Sequence, residues 1–306
     1  MIRFKLIAFS FVTLALQCFN AHAQSDLYIS GSAGANLYVG ENLSVQAEGN
    51  VSTASGSAIS FSSSGNPDFR LKGNFTNHTS ATYSLGTEKI RFNGSLLQNA
   101  DFGGDNVYGI YTDNASHVQI IRNVTLSGVL QFGTGHILST DAAHINLATT
   151  ATVSGAADNA HNNGPISKNF NSTSAFALPT GDGTSYNPIA FQPDAATATT
   201  MKAKYNYIQP SNRSSLNNLA SISNVEYWDI SRTSGSTNGK IALDWDANSN
   251  GINTDSVVVA LWDGTNWNNG GKNSFTGNAT EGSVTSNSIT TFEKVTLGKI
   301  PACNDY

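Results

Sequence analysis

Cysteine is nearly missing from this chain: of 306 residues only Cys18 and Cys303 carry a thiol. Cys18 falls in an N-terminal segment expected to be removed, and Cys303 then stands alone, so no disulfide framework can carry the stability. Charge is also scarce, at 12% of residues against about 25% in an ordinary soluble domain. No Lys/Arg cluster supplies the footprint that phosphate binding needs, which excludes nucleic acid as a partner. The only long apolar run, Leu6 to Leu16, falls short of the ~20 residues of a membrane-spanning helix. Helical periodicity is absent after residue 24. Its nearest approach is Ser214 to Ser223, a short helix or an ordered loop. Catalytic patterns are missing too: His78, His117, His136, His144 and His161 show no HxH or HExxH spacing, and no GxSxG elbow is present. His136 and His144 are the one pair that could meet on neighbouring turns, although surface positions are the simpler expectation.

What is present begins with a leader. Met-Ile-Arg-Phe-Lys, the apolar run and Ala21-His22-Ala23 follow the order of a secretory signal peptide over residues 1–23. Its removal takes away Arg3 and Lys5, leaving 14 basic against 21 acidic residues, a net charge of -7. The expected location is extracellular or at the cell surface, with the periplasm as the alternative. No membrane span is expected in the mature chain. Polarity comes from Asn, Ser, Thr and Gly, with 35 Asn and 28 Gly, a composition suited to sheet and tight turns.

Period-2 triplets recur along the first half. Leu43-Ser44-Val45, Ile59-Ser60-Phe61, Phe69-Arg70-Leu71, Ile90-Arg91-Phe92, Val118-Gln119-Ile120, Val124-Thr125-Leu126 and Ile145-Asn146-Leu147 each place two apolar side chains on one face. Such short, closely spaced strands fit a solenoid better than a sandwich, although no strict period survives. After the loop Asp158 to Pro165 come longer, more aromatic runs: Ile189 to Phe191, Met201 to Ile208, Val225 to Ser231, Lys240 to Asp246, Ser256 to Trp262 and Thr291 to Leu297. The predicted fold is all-β. An irregular parallel β-helix or solenoid spans 24–165, an antiparallel β-sandwich 166–300 and a tail 301–306.

Several of these segments resemble modules of large secreted and surface proteins of Bacteroidota. Gly73-Asn74-Phe75-Thr76-Asn77 with Leu85 to Gly94 is similar to a "GxWTN…GTxxVxFNG" rung, and Val124 to Ile137 to the "VxVxGxLxLxxGxI" that follows. Phe176 to Gly183 with Tyr186-Asn187-Pro188, Tyr227-Trp228-Asp229-Ile230 and Val259 to Trp267 resemble the "FPxGDGxxYxP", "YWDI" and "LVVAxWDGxxW" motifs. The resemblance implies a solenoid followed by a sandwich, with no assigned reaction. The C-terminal sorting domain of many such proteins is not visible after Gly298.

Four residues suggest a calcium loop. From Asp246, side-chain oxygens fall at positions one, three and five (Asp246, Asn248, Asn250), with Gly251 at six and Asp255 downstream. Position twelve is Val257 instead of Glu, so a polar hairpin turn is the competing reading. Trp267, in a Gly-Thr-Asn-Trp turn, is the aromatic expected to be exposed for stacking on a sugar, whereas Trp228, Trp245 and Trp262 are expected in the core. Asp101, Asp105 and Asp113 near Arg122 are the nearest approach to a lyase-like cluster. The expected function is therefore a non-enzymatic secreted or cell-surface structural or adhesion protein touching an extracellular glycan or surface matrix, with calcium as the one cofactor considered. The alternatives are a glycan-binding module using exposed sandwich aromatics and, more weakly, a polysaccharide-cleaving β-helix enzyme.

Overall fold

The computed structural model of the chain describes residues 25–30, 35–249 and 252–301, with the backbone of strands Thr13–Leu16 and Ala21–Ala23. The rest of the expected signal peptide, Cys18, Asn250, Cys303 and most of the tail lie outside the described residues. The protein is all-β, with 51% of residues in strands. Among the described residues the only helical turn is a 3-10 turn at Ala247–Ser249, and no helix is long and apolar enough to cross a membrane. Two compact units divide the chain, Met1–Asn162 and Asn163–Tyr306.

The first unit is a parallel β-solenoid of about seven turns. Each of its early turns contributes one short strand to each of three parallel sheets. One turn, for example, runs through Ala58–Phe61, Asp68–Leu71 and Phe75–Thr76. In the second sheet Val45, Phe69, Ile90, Ile110 and Leu130 stand in register and are buried. Those partners step by 24, 21, 20 and 20 residues, which is why no fixed period is visible in the sequence. Six of the seven triplets found in the sequence fall in such strands, their alternation set by one apolar face turned into the coil, while Leu43-Ser44-Val45 starts one residue ahead of the strand Ser44–Ala47. Phenylalanines thicken the interior: Phe102 lies 5.1 Å from Phe75 and 6.4 Å, edge-on, from Phe92.

Turn residues are stacked as well. Asn50 Oδ1 accepts the backbone N–H of Asn74 at 2.8 Å, and Asn74 Oδ1 accepts that of Asn99 at 2.7 Å. Asp26 takes the same role one turn earlier, accepting from Asn50 at 2.7 Å. An amide side chain thus supplies the acceptor that a corner N–H lacks within its own turn. Asn74→Ala is expected to cost about 1 kcal/mol in denaturant unfolding, the net worth of one such bond where water can compete. Asn74→Asp keeps the acceptor and should recover most of it.

The second unit contains two sheets. One runs in the order Phe176–Leu178, Ile189–Pro193, Gly239–Trp245, Gly282–Thr285, Ser274–Gly277, and every pairing in it is antiparallel. The larger runs Ile166–Phe170, Thr199–Asn206, Tyr227–Ser234, Lys294–Lys299, Val257–Trp262, Trp267–Asn269, Leu216–Asn217. Its last pairing is parallel. The segment expected as a helix or loop, Ser214 to Ser223, holds the two-residue strands Leu216–Asn217 and Ser221–Ile222. Trp228, Trp245 and Trp262 are buried, as expected. Trp228 donates its indole N–H to Asn187 O at 3.1 Å, and Trp245 to Asn278 O at 3.0 Å. Buried indoles need such partners.

Candidate functional site

Alternation that turns apolar residues into the solenoid turns a second set outward. On the second sheet the outward register partners of the buried ladder are Gln46, Arg70, Arg91, Tyr111 and Gln131. Neighbouring parallel strands lie about 4.8 Å apart, so these side chains form one row. Asp68 holds the cations in place: its Oδ2 accepts from Arg70 Nε at 2.7 Å, and its Oδ1 is 3.5 Å from Arg91 Nε. The second contact is an ion pair without hydrogen-bond alignment, leaving Arg91 Nε without an acceptor. The Arg91 guanidinium lies 3.9 Å over the Tyr111 ring, a cation–π arrangement. Lys89 shares the strand with Arg91, and Lys72 pairs with Glu48 at 2.6 Å.

Glycines make room for the aromatics of this face. A Cβ on Gly133 would stand 2.6 Å from the Tyr111 hydroxyl, and one on Gly128 would stand 2.6 Å from the Tyr108 ring. Tyr108 sits at a register break between Val107 and Gly109, and such bulges re-aim side chains. Its unpaired backbone N–H is taken by Glu88 Oε1 at 2.9 Å. Glu88 is fully buried and also accepts from Tyr83 Oη and Gly86 N, both at 2.9 Å. Burial pushes its carboxyl upward, and the hydrogen bonds pull it back only in part. The result is a cationic and aromatic strip on a chain of net negative charge.

The residues singled out from the sequence fare differently. Asp246 and Asn248 do come together, but on their own turn: Asp246 Oδ1 accepts the Asn248 backbone N–H at 2.8 Å, and Oδ2 faces the Asn248 amide nitrogen at 3.3 Å. That amide also donates to Ser185 Oγ at 2.9 Å. Asp255 lies on an exposed turn where the Lys272 ammonium is 2.9 Å from Thr254 O and 3.2 Å from Asp255 O. Among the described residues no three His, Cys, Asp or Glu side chains are grouped to hold a metal ion. Asp246 caps its own turn through these bonds, and Asn250 lies outside the described residues. The melting curve is expected to be the same in EDTA and in millimolar calcium. A rise of a few degrees in calcium, erased by Asp246→Ala, would instead establish the calcium loop.

Trp267 corrects the sequence reading. The tight turn at Asp263–Asn266 is capped by Asp263 Oδ1, which accepts from Thr265 and Asn266. Trp267 therefore opens the next strand, opposite Trp262, instead of ending the turn. It is 1% exposed, packs 5.4 Å from Trp262 and donates its indole N–H to Ser211 O at 3.1 Å. No sugar can stack on it.

Of the acidic residues, Asp101 does meet Arg122, pairing with it at 3.1 Å, while Asp105 accepts from Asn77 at 2.7 Å and Asp113 accepts from Thr134 at 3.2 Å. His136 is buried in a stack with His117 at 4.9 Å and His161 at 4.2 Å. The backbone N–H of His136 donates to His117 Nδ1 at 3.1 Å, so the rings repeat the corner pattern of the asparagines. Comparison of the chain with family models, curated proteins and solved structures gives no match.

Proposed function

We propose that this chain is an exported, non-enzymatic structural protein of the cell surface or extracellular space, and that its solenoid makes adhesive contact with a polyhydroxylated polymer, an extracellular glycan or surface matrix. The observation that carries this reading is the outward row Arg70–Arg91–Tyr111–Gln131. A flat face of stacked cations, amides and a ring can meet hydroxyl and acidic groups repeatedly along an extended polymer, each contact weak and the sum substantial. The signal-peptide pattern of residues 1–23 and the resemblance to Bacteroidota surface modules agree with export. In the same reading the two sheets of the second unit pack face to face as a β-sandwich. Phe170 and Phe191, on strands of the two different sheets and 5.2 Å apart edge-on, support it.

The test is immobilised-polysaccharide binding by the full chain across neutral and acidic polymers. Selective binding is expected, weakened at least tenfold by Arg91→Gln combined with Tyr111→Ala, with no oligosaccharide released. Binding that ignores this double substitution would move the contact surface elsewhere. Unsaturated oligosaccharide products would establish the enzyme reading in its place.

A further inference from the structure

Within the second unit lies a cavity of about 240 Å³. Arg213 and Lys299 line it, with Ser223, Asn253, Val257 and Leu297 among the other walls. Among the described residues neither cation has a carboxylate partner. Arg213 Nε is buried and has no hydrogen-bond acceptor. A guanidinium N–H hidden from water without an acceptor is costly, and a ligand oxygen is the natural remedy.

The turn bearing Arg213 is fixed in advance. Asn212 adopts a left-handed conformation with φ of 55°. Trp267 grips both flanks: its indole N–H donates to Ser211 O at 3.1 Å and its backbone N–H to Ser215 O at 2.8 Å. Arg213 is therefore presented on a clamped loop, which lowers the ordering cost of binding.

The walls define the ligand further. Ser223 Oγ accepts the backbone N–H groups of Val225 and Glu226 at 3.2 and 3.3 Å, so its own proton is free to donate elsewhere. Asn253 Oδ1 accepts from Asp255 N at 3.0 Å, leaving its amide N–H groups as donors. Val257 and Leu297 supply apolar surface. The volume is below the roughly 300–1,000 Å³ of pockets for drug-sized molecules and larger than an inorganic anion fills. A fork for a carboxylate, hydroxyl-directed donors and an apolar wall for a C–H face together describe one kind of molecule.

We propose that the cavity binds a single carboxylate-bearing sugar, a uronate, with Arg213 and Lys299 on the carboxylate and its hydroxyls on the serine and asparagine side chains. This inference does not rest on the adhesive reading of the solenoid. Calorimetric titration of the full chain with glucuronate and galacturonate tests it, with glucose and galactose as neutral controls and acetate and sulfate as anion controls. At least one uronate is expected to bind ten times or more tightly than its neutral parent and than either simple anion. Arg213→Gln should weaken that binding at least tenfold without lowering the melting temperature, Arg213→Lys less so, and the solenoid pair Arg91→Gln/Tyr111→Ala not at all. Equal affinity for acetate or sulfate, failure of both uronates to bind, or indifference to Arg213→Gln would each overturn it.

Discussion

At pH 8 the Glu226→Gln variant is expected to be more stable than the native chain, and at pH 4.5 the two should coincide. Glu226 is fully buried between Tyr205, whose hydroxyl donates to Oε2 at 2.8 Å, and the turn at Asp246. Its Oε1 has no hydrogen bond of good geometry, although the Ser249 hydroxyl lies close enough to draw the proton affinity down. Burial dominates and pushes the carboxyl up to about 7 from an ordinary value of 4.5, and the neighbouring charge of Asp246 adds to the rise. The same burial and the same carboxyl push the Tyr205 phenol upward.

The sign follows from which state holds the proton. Below pH 4.5 the carboxyl is protonated in folded and unfolded chains alike, and its contribution is fully present. Between 4.5 and 7 the unfolded chain releases the proton while the folded chain keeps it, so stability falls as pH rises. Above 7 the folded state holds a buried carboxylate. A difference of about 2.5 pH units corresponds to roughly 3 kcal/mol at 1.36 kcal/mol per unit, equivalent to several degrees of melting temperature for a unit of this size. Glutamine keeps the shape and an acceptor for Tyr205 without the charge. Parallel pH profiles for the two proteins would sink the prediction.

Strands were legible in this sequence wherever alternation alone decides burial. Phe69-Arg70-Leu71 and Ile90-Arg91-Phe92 announce one apolar and one outward face, and both are strands with that burial. The outward row was not legible, because Arg70, Arg91 and Tyr111 are 21 and 20 residues apart and only the strand register aligns them. Unequal turn lengths erased the period that would have exposed the register. The histidine stack was hidden in the same way. Its members are scattered in sequence and meet only at a repeated corner. The hairpin Ser274–Gly277 with Gly282–Thr285 went unread because its strands carry few apolar side chains, and pairing with Gly239–Trp245 holds it in place. Asp246 shows the converse. A run of alternating oxygens spaced for a cation is the same run that caps a turn, so spacing alone does not choose between them.

Trp267→Ala is expected to destabilise the second unit by about 3–5 kcal/mol, the range for removing a fully buried large aromatic. Trp267 belongs to a small core with Leu219, Ile222, Val258, Ala260 and Trp262. It also ties the loop on either side of Arg213 through two hydrogen bonds. Truncation opens a cavity in that cluster and orphans the Ser211 carbonyl, so packing and polar losses add. Trp267→Phe keeps most of the packing and gives up only the indole bond, and should cost about 1–2 kcal/mol. In denaturant unfolding the midpoint should drop with an unchanged slope, the signature of lost stability in the same folded state. A loss under about 1 kcal/mol for Trp267→Ala would mean that the ring is dispensable to the core. Ligand binding abolished without any loss of stability would return Trp267 to the surface role its sequence context suggested.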